Sequence, residues 1–376
     1  MKYSNLFLSL ITILLFSCKE KPSEKIALQT LNNSAFNFKV DTIVSGMEIP
    51  WSMAFLPDNS ILITELKGAL IHFKDGIKTN IKNIPEIYFS GQGGLLDIEL
   101  HPRYKETGWI YFSYASQDGE GDGSNTAIMR AKLDGDTLTN KELLYKAGPN
   151  STRGQHYGGR IEFDNNGYLF FSIGERGARD DNPQDITKDG GKIYRLHDDG
   201  KIPSDNPFVD NKDARKAIYS FGHRNPQGMA KNPTTGDIWI HEHGPRGGDE
   251  VNIVKVAKNY GWPILSYGIN YNGTKFAEGT EREGFESPIW YWDPSIAPSG
   301  MTFITSDKYP EWKGGFLVGS LKFAYLVLCT VEGNTITKDE ILFKGIGRVR
   351  NIRQGPDGYI YVATEGNGIV KIIPKK

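Results

Sequence analysis

Apolar and polar positions in this chain alternate over short runs, with few stretches at helical spacing. One phrase recurs: a turn carrying Gly or Asn, then a run of strand-forming residues. It first appears as Pro57-Asp58-Asn59-Ser60 leading into Ile61-Leu62-Ile63-Thr64. It returns as Thr107-Gly108 before Trp109-Ile110-Tyr111-Phe112, and as Asn166-Gly167 before Tyr168-Leu169-Phe170-Phe171. Thr235-Gly236 before Ile238-Trp239-Ile240, Gly314-Gly315 before Phe316-Leu317-Val318, and Asp357-Gly358 before Tyr359-Ile360-Tyr361-Val362 complete the set. Each phrase reads as the turn and second strand of a four-stranded antiparallel unit. The spacing is irregular, roughly 40 to 80 residues, as in propellers whose blades carry long insertions. The prediction is an all-β chain, a six-bladed β-propeller over 35–376. A β-sandwich also uses short strands but gives no reason for one phrase to recur. A strand over 36–40 is placed to complete the last blade beside 369–372, which closes the ring and removes its exposed edges.

Composition agrees with this reading. The 43 Gly and 19 Pro supply tight turns, and 38% hydrophobic residues supply a sizeable core. Lys and Arg number 44 against 45 Asp and Glu, so no basic excess argues for a nucleic-acid partner. The two cysteines have different fates. Residues 2–16 are a short basic start and an apolar stretch too short to span a bilayer comfortably, and they end in Leu15-Phe16-Ser17-Cys18. That ending resembles a bacterial lipobox. The expectation is a signal peptide over 1–17, lipidation at Cys18 and a flexible tether over 18–34. The folded body would then be an extracytoplasmic bacterial lipoprotein, periplasmic or outer-membrane anchored, touching the membrane through lipid alone. A plain signal peptide with a chance cysteine is the alternative. Cys329, in Leu326-Val327-Leu328-Cys329, reads as a buried strand residue without a disulfide partner.

The candidate chemistry lies in polar loops far apart in sequence, which a propeller would bring to one end of its channel. Phe221-Gly222-His223-Arg224-Asn225-Pro226-Gln227 presents a cation and two amides, and His241-Glu242-His243-Gly244-Pro245 is dense in metal and anion ligands. Gln92, His156, Glu175, Lys322, Arg348 and Arg350 fall in corresponding loops. Four cations, several amides, one His and one carboxylate suit a planar polyanion rich in carbonyls, since Arg offers a fixed fork to carboxylates and Lys a point charge.

With these residues in view, the chain resembles the soluble PQQ-dependent aldose sugar dehydrogenases, the soluble quinoprotein glucose dehydrogenase family, from about Gly46 to Pro374. The resemblance rests on His156-Tyr157-Gly158-Gly159-Arg160, Gly222-His223-Arg224-Asn225-Pro226-Gln227-Gly228, Gly244-Pro245 before Asp249-Glu250, Asn259-Tyr260-Gly261-Trp262-Pro263, Ser320-Leu321-Lys322 and Arg348-Val349-Arg350. It implies a six-bladed propeller that oxidises an aldose at C1 to a lactone, with hydride passing to PQQ and Ca2+ as Lewis acid. His156 would be the base. Arg224 would stabilise charge on the quinone oxygen, and Glu175, where the best-known member of the family has Asp, would orient His156. Gln92, Asn225, Gln227, Lys322, Arg348 and Arg350 would clamp the cofactor, while the backbone carbonyls of Gly244 and Pro245 would bind the metal. The electron acceptor, a quinone or a cytochrome, stays open, as does the sugar, because the loop over 267–292 does not match.

Two other readings stand beside this one. His241 and His243, two apart on an extended segment, could bind zinc with Asp249 or Glu250 in a metal-dependent lactonase or related hydrolase. A non-catalytic propeller binding sugar or protein is the other. Asp249 and Glu250 read more simply as buttresses of their loop. Trp239, Trp262, Trp290 and Trp292 read mainly as packing, with Trp292 a candidate sugar platform.

Overall fold

The computed structural model describes residues 38–375; the leader, Cys18 and the tether lie outside them. Among the described residues, twenty-four strands form six four-stranded antiparallel sheets, with one short helix at Tyr104–Thr107. The six recurrent phrases are the second strands of the six blades: Ile61–Glu65, Trp109–Ser116, Leu169–Ile173, Ile238–Glu242, Phe316–Ser320 and Ile360–Thr364. Each is buried along its whole length or nearly so, because it is sandwiched between neighbouring blades.

The innermost strands are Pro50–Phe55, Leu95–Leu100, Ile161–Phe163, Pro226–Lys231, Pro298–Phe303 and Val349–Gln354. Each packs against the innermost strands of both neighbouring blades, so the ring is complete. Closure is by the N-terminal strand, Phe38–Val44, which pairs antiparallel with Gly368–Pro374 as the outer strand of the last blade. Six apolar clusters hold the ring, one at each interface between blades. Each fully buried Val, Ile or Leu contributes about 1.5–3 kcal/mol, so the interfaces carry most of the stability. Cys329 is buried in one of them and is a free thiol.

Five of the six innermost strands share an irregularity. The register slips between Pro50 and Ser52, Leu95 and Ile98, Pro226 and Gly228, Ser299 and Met301, and Val349 and Asn351. Such bulges leave a residue out of the ladder and re-aim its side chain. Trp51, Leu96, Gln227 and Arg350, all within the slipped segments, line one cavity at the head of the channel.

Candidate active site

That cavity has a volume of about 200 Å³ and brings together residues from all six blades and the loops that enter them. Gln92, Asn225, Gln227, Arg348 and Arg350 all line it. Trp51, Leu96 and Tyr157 belong to a small apolar cluster that gives it a non-polar wall. An apolar wall opposite convergent polar groups is the usual make-up of a site for a small organic ligand.

The amides are already oriented. Gln92 spends its Oε1 on the backbone N–H of His156 at 2.8 Å, and Asn225 spends its Oδ1 on the N–H of Gly158 at 3.1 Å. Among the described residues the NH₂ groups of these two carry no partner, so they are donors in waiting for a carbonyl or carboxylate. Gln227 is used the other way, its Nε2 donating to the Gly158 carbonyl at 3.0 Å. Gly158 can sit in this crossing of amides because it has φ of 62° and no Cβ; a Cβ there would lie 2.7 Å from the Gly174 nitrogen.

Arg350 donates from Nε to Glu365 at 2.6 Å, and Arg348 reaches the same carboxylate oxygen at 3.0 Å. Arg348 also bonds the Leu321 carbonyl at 2.9 Å. One carboxylate thus holds two guanidinium groups side by side, and the pair keeps a net positive charge facing the cavity. Lys322 stands apart: its Nζ donates to the Ser295 carbonyl at 3.1 Å, and its neighbour Leu321 lines the wall instead.

His156 sits at φ 58°, a left-handed conformation costing a non-glycine residue about 1–2 kcal/mol. Its main-chain bond to Gln92 and the hydrogen bond from its Nδ1 to Glu175 Oε1 offset that cost. The longer Glu side chain therefore reaches the imidazole. Glu175 is 2% exposed, and its Oε2 is buried without a partner among the described residues. Accepting from Nδ1–H, the carboxylate fixes the tautomer that leaves Nε2 as the basic nitrogen. Burial pulls the His156 imidazole below its ordinary 6.5; the Glu175 hydrogen bond opposes this and the Arg224 charge reinforces it.

Arg224 is held from three sides. Its N–H donates to Glu242 at 2.6 Å, its Nη1 to the His243 carbonyl at 3.1 Å, and its guanidinium lies 5.3 Å from the Trp262 ring. The next loop turns tightly at Gly244, where a Cβ would lie 2.2 Å from the Gly247 carbonyl oxygen. Asp249 buttresses it, accepting from the Gly244 N–H at 2.8 Å, from Ser295, and from the N–H groups of Ile296 and Ala297. Among the described residues no hydrogen bond reaches the carbonyl of Gly244 or Pro245, so both oxygens are available to a hard cation.

The zinc arrangement is not formed. His241 is buried and His243 half-buried, and each spends its Nε2 on a main-chain carbonyl, Gly300 at 3.0 Å and Pro298 at 2.7 Å. Asp249 is saturated by its loop, and no group of three His, Cys, Asp or Glu side chains among the described residues could hold a metal. Trp292 is no sugar platform either: it is 7% exposed in an inter-blade core, with its indole N–H on Asp339 at 2.9 Å.

Sequence reasoning missed Glu242 and Glu365, the partners of Arg224 and of the arginine pair. A signal existed: Glu65, Glu242 and Glu365 stand at or just after the end of their second strands, and each accepts hydrogen bonds from the channel-side segment of its own blade. Glu175 stands two residues past its strand in the same way.

The comparisons with known proteins agree with this geometry. Aldose sugar dehydrogenase YliI of Escherichia coli (strain K12) is 42% identical over 346 residues, 89% of this chain and 93% of its own. The crystal structure of the soluble aldose sugar dehydrogenase from Escherichia coli in the apo-form superposes with a TM-score of 0.86 at 40% identity, covering 90% of this chain and 100% of that one. The PQQ-bound form of aldose sugar dehydrogenase from Streptomyces coelicolor gives 0.72 at 25% identity over 90% of this chain and 98% of its own. The glucose/sorbosone dehydrogenase family matches residues 47–372, and with the ring, the oriented amides and the His156–Glu175 pair in place, the chain belongs to that family.

Proposed function

We propose that this protein oxidises an aldose at C1 to the lactone, with PQQ as hydride acceptor and calcium as Lewis acid. The observation that carries the reading is convergence: two arginines and two unspent amide donors face one cavity with an apolar wall, beside a histidine held as a base. That donor set fits a planar tricarboxylate with ring carbonyls. Gln92, Asn225, Arg348 and Arg350 would hold its oxygens, Trp51 and Tyr157 its faces, and the Gly244 and Pro245 carbonyls the calcium. When bound, the cofactor would supply a two-electron acceptor whose carbonyl the metal polarises.

The chain's own residues would do the rest. His156 would take the proton of the C1 hydroxyl at Nε2, and its lowered basicity keeps that nitrogen unprotonated at neutral pH. Glu175, buried and bonded to Nδ1, would steady the imidazolium that results. Arg224 would stabilise negative charge developing at the acceptor's oxygen, and its Nη1 bond to the His243 carbonyl and its packing on Trp262 would leave little reorganisation to be done. Lys322 would enter the clamp after turning from the Ser295 carbonyl. Export and lipidation at Cys18 complete the proposal; Cys18→Ala would leave the protein in the soluble fraction, while membrane recovery of that variant would contradict it.

The function is tested by product analysis. The purified protein loaded with PQQ and calcium is expected to convert an aldose to its lactone with matching dye reduction. Lactone hydrolysis in the absence of any dye reduction would contradict the assignment.

A further inference from the structure

Beneath the cavity lies the side chain of Arg160, which is 2% exposed. It precedes the innermost strand of the third blade, the one innermost strand without a bulge. Its Nε donates to the Gln227 carbonyl at 2.7 Å in blade four, and its Nη2 donates to the Arg350 carbonyl at 2.7 Å in blade six. Nη2 lies 3.4 Å from Ser299 Oγ in blade five, and Nη1 is 3.6 Å from Asp97 Oδ1 in blade two. The guanidinium stacks over Trp51 of blade one, 3.9 Å from the ring centroid. One side chain, carried by the third blade, therefore contacts the other five.

Its acceptors are not arbitrary. Gln227 and Arg350 are the bulged residues of their strands, so their carbonyls are left without a ladder partner. A buried carbonyl without a donor is costly, and Arg160 supplies donors to both. The side chains of the same two residues, and of Trp51, line the cavity above. Ser299 adds a second donor to the Arg350 carbonyl at 2.9 Å without lining the cavity itself.

We propose that Arg160 is a positioning residue for the cofactor: its planar fork fixes the bulges at Gln227 and Arg350, and with them the direction in which those side chains meet the bound group. This rests on the PQQ reading given above. Lysine keeps the charge but not the fork, so Arg160→Lys separates the two. The control is Arg353, a second buried guanidinium lower in the channel. It pairs with Glu99 at 2.8 Å and Asp97 at 3.6 Å and touches neither bulge carbonyl.

The experiment is equilibrium binding of PQQ, with calcium present and no sugar, followed by quenching of intrinsic fluorescence. Urea midpoints are measured on the same samples. Arg160→Lys is expected to bind about 20-fold more weakly than the parent, and Arg353→Met within about 3-fold of it even where its urea midpoint falls as far. Equal affinity in Arg160→Lys, or an equal loss in Arg353→Met, would overturn the inference. Should Arg160→Lys not fold, Ser299→Ala decides: about 5-fold weaker binding, outside the range expected of Arg353→Met, supports the role, and binding within that range overturns it. A parent protein that binds no PQQ overturns the cofactor reading and this inference with it, an outcome distinct from parent and variant binding alike.

Discussion

The central channel opens at two ends, and the larger opening is the less chemical one. The lower mouth encloses about 960 Å³, against about 200 Å³ for the upper cavity. The lower mouth is lined by strand ends and turn residues such as Thr305, Ser306 and Lys308, and Gln354 there already bonds Thr305 and Ser306. Its charged pair, Arg353 and Glu99, is already satisfied internally. The upper cavity is small, yet its amides and arginines are fixed by bonds that leave donors facing it. Both ends are built by the same six strands. They differ because the strands bulge at the upper end and run regularly to the lower one. Pre-oriented, unspent donors locate a site where volume does not.

The strongest way to break this contrast is at the base. His156→Ala is expected to lower kcat by about 10³-fold while PQQ affinity stays within about 3-fold, because in the proposed reaction His156 would act on the sugar proton and not on cofactor binding. Single-turnover kinetics on loaded protein would measure it. A variant with normal kcat would remove His156 from the reaction.

The clamp should grade with burial. Arg350 is 16% exposed and Arg348 48%, although both bond Glu365. Arg350→Ala is expected to weaken PQQ binding about 100-fold and Arg348→Ala about 5-fold, since the charge-assisted bond farther from water is the stronger. The reverse order, read by fluorescence titration, would mean that the cofactor lies nearer the rim.

The pH profile sharpens the comparison next. The base must be neutral, and burial places the folded pKa of His156 below 6.5. The kcat/KM is therefore expected to be flat at neutral pH and to fall only as pH drops through that lowered value. Glu175 raises the His156 pKa, so Glu175→Gln should move the acid limb to still lower pH and lower kcat about 10²-fold. A limb above 6.5 would contradict the role of burial. The smallest effect belongs to the lower mouth: Lys308→Ala is expected to leave kcat and KM within about 2-fold, as surface changes away from such features usually do.

The fold was legible in the sequence wherever hairpin chemistry is local. A turn beside a short apolar run marked all six second strands, and the N-terminal strand was placed correctly in the last blade. The innermost strands were less legible, because bulges at Trp51, Gln227 and Arg350 interrupt the alternation that announces a strand. Of the site, Gln92, Asn225, Gln227, Arg348 and Arg350 do meet at one cavity, with His156 on Glu175 beside it. Arg160 escaped notice as anything but part of a motif, because its partners lie up to 190 residues away. The zinc alternative failed for a similar reason: spacing put His241 and His243 on one side, but the carbonyls of the next blade take both imidazoles.

The central claim is tested most directly by reconstitution. Purified protein stripped with chelator is expected to show no aldose-dependent dye reduction, and to gain it only when PQQ and calcium are both restored. Turnover that needs neither, or a protein to which PQQ does not bind under any calcium condition, would contradict the account.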